Sequence, residues 1–332
     1  MPENTTSPKS KLLDQLREAL RVRHYSYKTE QSYVQWVKRY ILFHNKRHPA
    51  EMGEAEIRQF LNHLAVKRNV ASATQNQALC ALVFLYRQVL KIALGEFENV
   101  VWAKRPKRLP VVFTRNEIER ILNELSGSYK LMAMILYGAG LRLTECLDLR
   151  IKDVDFENRT ITVRGGKGEK DRVTILPEAV VEPLARQIEM VVKIHRKDIV
   201  NGYDSVYLPY ALERKYPTAG KQIGWHYLFP AQNLSADPRT GVVRRYHIHD
   251  SALQRAVKTA IQRAGIYKYG GCHTFRHSFA THLLEDGVNI RTVQELLGHT
   301  SVETTMVYTH VMSKKGIGIK SPIDGKAKTE SK

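Results

Sequence analysis

Cys272-His-Thr-Phe-Arg276-His-Ser-Phe-Ala-Thr-His-Leu-Leu284, followed by Leu296-Leu-Gly-His299 and then Tyr308-Thr-His310, is the stretch on which the reading of this chain turns. His273 and Arg276 stand three apart on a helical pattern, so they share a face. His299 follows a glycine placed to end a helix. Tyr308 is expected on the next helix, begun near Thr300-Ser301. Far upstream, Gly138-Ala-Gly-Leu-Arg142-Leu-Thr-Glu145 sets an arginine just after a glycine-punctuated helix. Glu145 reads as structural, positioning an arginine or capping backbone. Each piece alone is weak. A lone HxxR is more often a surface helix pair, and Tyr308 is one of 16 tyrosines.

Working outward, Thr114-Arg-Asn-Glu117 is a capping box that opens a second domain. Helical patterns follow to about residue 150. Asp153–Phe156, Thr160–Val163 and Arg172–Ile175 alternate in the β manner, which predicts a small antiparallel sheet. The Gly165-Gly-Lys-Gly168 turn joins its second and third strands. Helices resume from Glu178, and residues 247–263 form another. Residues 199–246 read as irregular and aromatic-rich. Before this domain, four apolar faces predict four packed helices in the first ~95 residues. They are Leu12/Leu13/Leu16/Leu20, Tyr33/Trp36/Val37/Tyr40/Ile41, Ile57/Phe60/Leu61/Leu64 and Leu79/Leu82/Val83/Tyr86/Leu90. The fourth is expected to open at a capping box, Ser72-Ala-Thr-Gln75. Between the domains, Lys104, Arg105, Lys107 and Arg108 lie in a proline-containing linker, where an extended backbone and phosphate contact are both expected.

The chain has 332 residues, of which 43% are hydrophobic, enough for real cores. Lysine and arginine total 52 against 33 acids, for a net charge of +19. That excess points to a polyanionic partner, with a basic ribosomal or membrane-surface protein as the alternative. Cys80, Cys146 and Cys272 are far apart and lack CxxC spacing, so neither a disulfide framework nor a zinc site is expected. No stretch approaches the ~20 apolar residues of a membrane span. The segment MPENTTSPKSK has no apolar core of a signal peptide. A cytoplasmic protein is expected.

The motifs GLRLTE, GGKGEKDR, HTFRHSFATHLL, LLGH and YTH occur together and in order, and with them the chain resembles the tyrosine recombinases, the phage-type integrases. The resemblance covers nearly the whole second domain, together with a helical first domain of the expected kind. It implies a mainly α fold with a small antiparallel sheet (α+β), in which a SAM-like core-binding domain and a catalytic domain form a C-shaped DNA clamp. The expected boundaries are 1–102, a linker at 103–112, a catalytic domain at 113–312 and a tail at 313–332 that docks on a neighbouring protomer. By resemblance, Tyr308 is the nucleophile that forms a 3′-phosphotyrosine. Arg142 and Arg276 clamp the scissile phosphate, for which a guanidinium fork that stays charged is suited. Lys167 protonates the leaving hydroxyl, with Lys170 in the same turn as the other candidate. His273 and His299 hydrogen-bond phosphate or assist proton transfer. No metal or nucleotide cofactor is expected.

The insertion at about 199–246, the tail Gly316–Asp324 and the segment Ala19–Ser26 are similar to those of integron integrases. That resemblance implies integration and excision of gene cassettes. The substrates are a single strand folded into an attC hairpin, with bases bulged from the stack, and a duplex attI site. A tetramer assembles on two DNA sites. An expelled base exposes a π-face worth about 1–3 kcal/mol on an aromatic surface. Trp225, Pro238 and His247 are the candidates for that contact, with Arg244 and Arg245 on nearby phosphates. The rival readings are a phage or Xer-type recombinase on duplex sites, a type IB topoisomerase-like nicking enzyme and a non-catalytic DNA-binding protein.

Overall fold

The computed structural model describes residues 11–93, 103, 109–165, 171–209 and 212–309. They form two compact units that divide between Arg108 and Leu109, each with its own core.

The first unit is helical. It comprises α1 (Leu12–Val22), α2 (Tyr27–Phe43), α3 (Glu54–Asn62) and α4 (Ser72–Phe84), with π-helical turns continuing α3 over His63–Lys67 and α4 over Leu85–Leu90. The four expected apolar faces meet in one cluster, with Leu16, Val37, Tyr40, Ile57 and Leu82 fully buried. The buried Tyr40 and Tyr86 hydroxyls lie 2.9 Å apart and satisfy one another, which offsets the cost of taking two phenols from water. The cap of α4 differs from expectation. Ala71 is the N-cap and Ser72 the first helical residue, with no side-chain cap bond. The Gln75 amide reaches instead to the Leu61 carbonyl of α3, at 3.5 Å. A Ser-x-x-Gln pattern fits the inside of a first turn as well as its edge.

The second unit opens as the sequence indicates. Thr114 accepts from the Glu117 N–H at 3.2 Å, and Glu117 accepts from the Thr114 N–H at 2.7 Å, which starts α5 (Arg115–Asn123). α6 (Gly127–Gly138) and α7 (Leu143–Asp148) follow. Then β1 (Val154–Asp155), β2 (Thr160–Val163) and β3 (Arg172–Ile175) form an antiparallel sheet in that order. Thr160 faces Ile175 and Val163 faces Arg172. β1 is shorter than expected because Ile151–Asp153 turns as a 3-10 helix, with the Asp153 carboxylate accepting the Arg150 N–H at 2.9 Å. Of the turn between β2 and β3, residues 166–170 lie outside the described residues.

α8 (Glu178–Val200) is followed by α9 (Leu212–Lys215) and by a two-stranded ribbon, β4 (Ser235–Ala236) with β5 (Val243–Arg244). The segment expected to be irregular therefore has order of its own. Val206, Leu208, Ala219 and Tyr227 form a small separate cluster, against which Trp225 and Tyr246 pack. α10 (Asp250–Arg263) begins three residues later than expected, because His249 takes the N-cap and accepts the Ser251 N–H at 3.3 Å. α11 (Cys272–Glu285), α12 (Ile290–Leu297) and α13 (Val302–Met306) complete the described chain. α6 and α11 supply much of the centre of this unit, with Met132, Leu136 and Phe275 fully buried. The three cysteines are free thiols, and Cys146 and Cys272 are buried. Among the described residues, no helix is long and apolar enough to cross a membrane.

Candidate active site

Glu145 is the hub. Arg142 is the N-cap of α7, and its backbone N–H donates to Glu145 Oε2 at 2.7 Å while its guanidinium donates to Oε1 at 2.5 Å. Arg172, at the start of β3, makes a two-pronged contact with the same carboxylate at 2.9 and 2.7 Å. Arg276 Nη1 stands 3.6 Å from Glu145 Oε2. Burial works to raise the Glu145 pKa, but the hydrogen bonds from Arg172 and from the Arg142 backbone, with the charge of Arg172, hold it down at about 2. The carboxylate is thus ionised at any working pH and fixes the arginines by charge-assisted hydrogen bonds.

Arg276 is almost fully buried. Its fork donates to the carbonyls of Gly140 and Leu297, each at 2.5 Å. The Leu297 carbonyl belongs to the last turn of α12, where carbonyls lack helical partners. Burial, then the charge of Arg142, lower the Arg276 pKa to about 10, so it remains cationic near neutrality. Gly140, at φ +65°, lets this turn approach α11, since a Cβ there would meet Phe279 Cδ1 at 2.4 Å.

Gly298 ends α12 in the left-handed conformation expected of it and releases His299 toward Arg276. His299 Nε2 lies 3.2 Å from Arg276 Nη2, and its Nδ1 lies 2.9 Å from Thr305 Oγ1. A guanidinium can only donate, so Nε2 accepts and the ring proton belongs on Nδ1. Burial first, and then Arg276 and Arg142, push its pKa down to about 4.

Tyr308 sits just past α13 rather than within it, with its N–H on the Thr305 carbonyl at 3.0 Å. Its ring stacks on His299, with centroids 6.2 Å apart, and packs into the cluster of Phe279, Leu284, Val293 and Leu297. The residue is 4% exposed. Burial raises its pKa, opposed by the positive charges of Arg276 and Arg142. Its hydroxyl lies 3.1 Å from His277 Nδ1.

Arg142, Arg276, His299 and Tyr308 are thus brought together within the second unit. His273 is on the same helix as Arg276, one turn earlier, and is exposed. Lys167 and Lys170 lie outside the described residues, as do Lys104, Arg105, Lys107, Arg108 and the tail from residue 310. Two residues at the centre were not singled out from the sequence. Arg172 follows a turn of charged residues, and nothing local marks it as a partner of Glu145. His277 stands beside Arg276 in the same motif, and nothing in the local sequence marks it as a partner of Tyr308.

The insertion candidates fare unevenly. Pro238 is exposed in the turn between β4 and β5. Trp225 is half-buried, and its ring is covered by Lys152, whose ammonium lies 2.9 Å from the ring centroid. It packs against the small cluster of Val206, Leu208, Ala219 and Tyr227. Arg245 holds Asp198 with two prongs and donates to the carbonyls of Ala231 and Gln232, each at 2.8 Å. Those bonds leave the guanidinium committed to the fold rather than free for phosphate. Arg244 is 13% exposed at its side chain and pairs with Glu213 at 2.5 Å. His247 is turned to the backbone, with Nδ1 2.7 Å from the Ile248 carbonyl oxygen and the ring edge-on to Tyr227.

A cluster of arginines around an ionised hub, beside a buried tyrosine and a histidine that accepts, is equipped to hold an anionic group next to a phenolic nucleophile. Residues 111–315 match the phage integrase family, and residues 12–96 match its N-terminal SAM-like domain. An integrase/recombinase of Escherichia coli is 50% identical over 95% of this chain and 93% of its own. Tyrosine recombinase XerA of Thermococcus onnurineus is 35% identical over 78% of this chain and 79% of its own. The solved structure of the Tn1549 transposon integrase in complex with transposon right end DNA is 18% identical, covers 92% of this chain and 97% of its own, and superposes with a TM-score of 0.61, a likeness of fold. The chain belongs to the phage integrase family, the tyrosine recombinases that cleave and rejoin DNA site-specifically.

Proposed function

We propose that this recombinase integrates and excises gene cassettes, acting on folded single-stranded attC hairpins and on duplex attI. Tyr308 attacks the scissile phosphate and forms a 3′-phosphotyrosine. Arg142 and Arg276 hold the phosphate and stabilise the charge that builds on it in the transition state. Lys167 protonates the leaving 5′ oxygen, while His273 and His299 support the phosphate and its proton transfers. The ester keeps the bond energy, so rejoining needs no nucleotide. Four protomers on two sites make the exchange, and the tail links neighbours.

The observation that carries the catalytic part is the convergence of Arg142, Arg276 and His299 on a buried Tyr308. For the cassette substrate, the support is that Val206, Leu208, Ala219 and Tyr227 build a small cluster of their own and that Pro238 stands on an exposed ribbon. The similarity to the recombinase named XerA favours duplex sites as the second reading.

One experiment addresses both parts. The protein is mixed with an attC-type strand, folded and nicked near the cleavage point, or with an equivalent duplex. A denaturant-resistant adduct is expected on the hairpin, weak on the duplex and absent with Tyr308→Phe. A Tyr308-dependent adduct on the duplex alone keeps the chemistry and discards the cassette reading. An adduct that survives Tyr308→Phe discards the nucleophile.

A further inference from the structure

A phenol attacks phosphorus well only as it loses its proton, so something must accept that proton as the bond forms. Among the described residues, the side-chain polar atom within hydrogen-bond distance of Tyr308 Oη is His277 Nδ1, at 3.1 Å. His299, though stacked on Tyr308, is engaged at both nitrogens, by Arg276 and by Thr305. His273 is exposed one turn away on α11.

We propose that His277 is the general base of cleavage, its Nδ1 accepting the Tyr308 phenolic proton as the phosphotyrosine bond forms. This rests on the reading of Tyr308 as nucleophile. The Tyr308 Oη–phosphorus bond forms while the bond from phosphorus to the 5′ oxygen breaks. The phenolic proton passes to Nδ1, and the departing 5′ oxygen takes a proton from the general acid. Rejoining runs the transfers backwards, with the imidazolium returning its proton to the tyrosine oxygen as that oxygen leaves.

The surroundings fit the role. His277 is faced by His273 and Arg276 of its own helix, by His299 after α12 and by Tyr308 after α13. Burial first, and then His273 and Arg276, lower its pKa to about 4, so near neutrality the ring is uncharged and free to accept. The arriving phosphate brings negative charge beside Arg276, the one arginine among the groups that depress it. Its basicity therefore rises when substrate is bound, which is when the proton must move. The pair bridges two elements, with His277 on α11 and Tyr308 just past α13.

The test is single-turnover cleavage of the nicked hairpin and duplex suicide oligonucleotides, followed from pH 6 to 9 with the full chain. His277→Ala and His277→Gln are compared with the unaltered chain and with Tyr308→Phe. The glutamine variant keeps a polar side chain of similar size but takes no proton. Gel retention of both oligonucleotides serves as the check on folding. Both variants are expected to retain the DNA and to cleave about 10²–10⁴-fold more slowly at pH 7. Their rates should climb about tenfold per pH unit as hydroxide takes over the proton, while the unaltered chain stays nearly flat. Rejoining from preformed adduct should slow in parallel. A variant within threefold of the unaltered chain overturns the proposal. So does one that is slower with an unchanged pH profile, which is a packing role, or one that is faster, which is a restraint on Tyr308. An adduct that persists in Tyr308→Phe overturns the nucleophile assignment and this inference with it.

Discussion

At Glu145 one carboxylate meets three arginines, and its partners leave it little freedom. Arg172 and Glu145 are 9% and 6% exposed at their side chains, so their contact is a buried ion pair. Such a pair is weak evidence of net stability, yet removing one partner is costly because the other is left charged and dry. Glu145→Gln is therefore expected to lower the unfolding free energy by about 3–5 kcal/mol, read from urea melts with an unchanged m-value. It should also loosen Arg142 and abolish measurable cleavage. The pH dependence has a definite sign. The folded pKa of Glu145, about 2, lies below its ordinary 4.5. Its contribution is fully present above pH 4.5 and is lost as the pH falls through 2. The unaltered chain should thus lose stability across that window, and Glu145→Gln should lose less. An equally steep fall in the variant would mean that other carboxylates govern acid unfolding.

Among the elements, the end of α12 is where backbone and chemistry meet. Gly298 stands at φ +63°, and a Cβ there would meet Arg172 Cδ at 2.6 Å. Gly298→Ala is expected to cost about 1–2 kcal/mol for the left-handed backbone alone. It should also displace both Arg172 and His299, with a loss of cleavage larger than the stability loss explains. Urea melts and single-turnover rates on one preparation separate the two effects, and a variant with full activity would remove Gly298 from the site. This glycine was legible in the sequence because helix ends announce themselves locally, as were the Thr114 cap, the HxxR face and the four apolar faces of the first unit. What the sequence withheld is contact between distant segments. Arg276 reaches the Gly140 carbonyl across 136 positions, and Arg172 reaches Glu145 across 27. No periodicity encodes such a meeting. The Ser72 cap and the surroundings of Trp225 depend on such contacts too. Gln75 answers to α3, and Lys152 arrives from just before β1 to cover the indole.

For the whole molecule, the net charge of +19 favours DNA of any sequence, while the proposed cassette reading assigns the choice among DNAs to the second unit. These two contributions respond differently to salt. Each phosphate neutralised releases counterion, so the affinity falls with a log–log slope of about −0.9 per contact on duplex DNA. Stacking of an expelled base releases almost none. A hairpin and a duplex held through the same phosphate contacts should then weaken in parallel between about 50 and 200 mM salt, by orders of magnitude each. Their ratio should stay nearly constant if the preference for the hairpin comes from bulged bases resting on the insertion. Anisotropy titrations of both oligonucleotides over that range, with Tyr308→Phe to prevent cleavage, give the two slopes directly. Parallel lines offset by about 1–3 kcal/mol per seated base support recognition by shape. Converging lines would mean that the hairpin is preferred only because it gathers more phosphate contacts. In that case Pro238 and its ribbon have no part in choosing the substrate, and the duplex reading gains the ground.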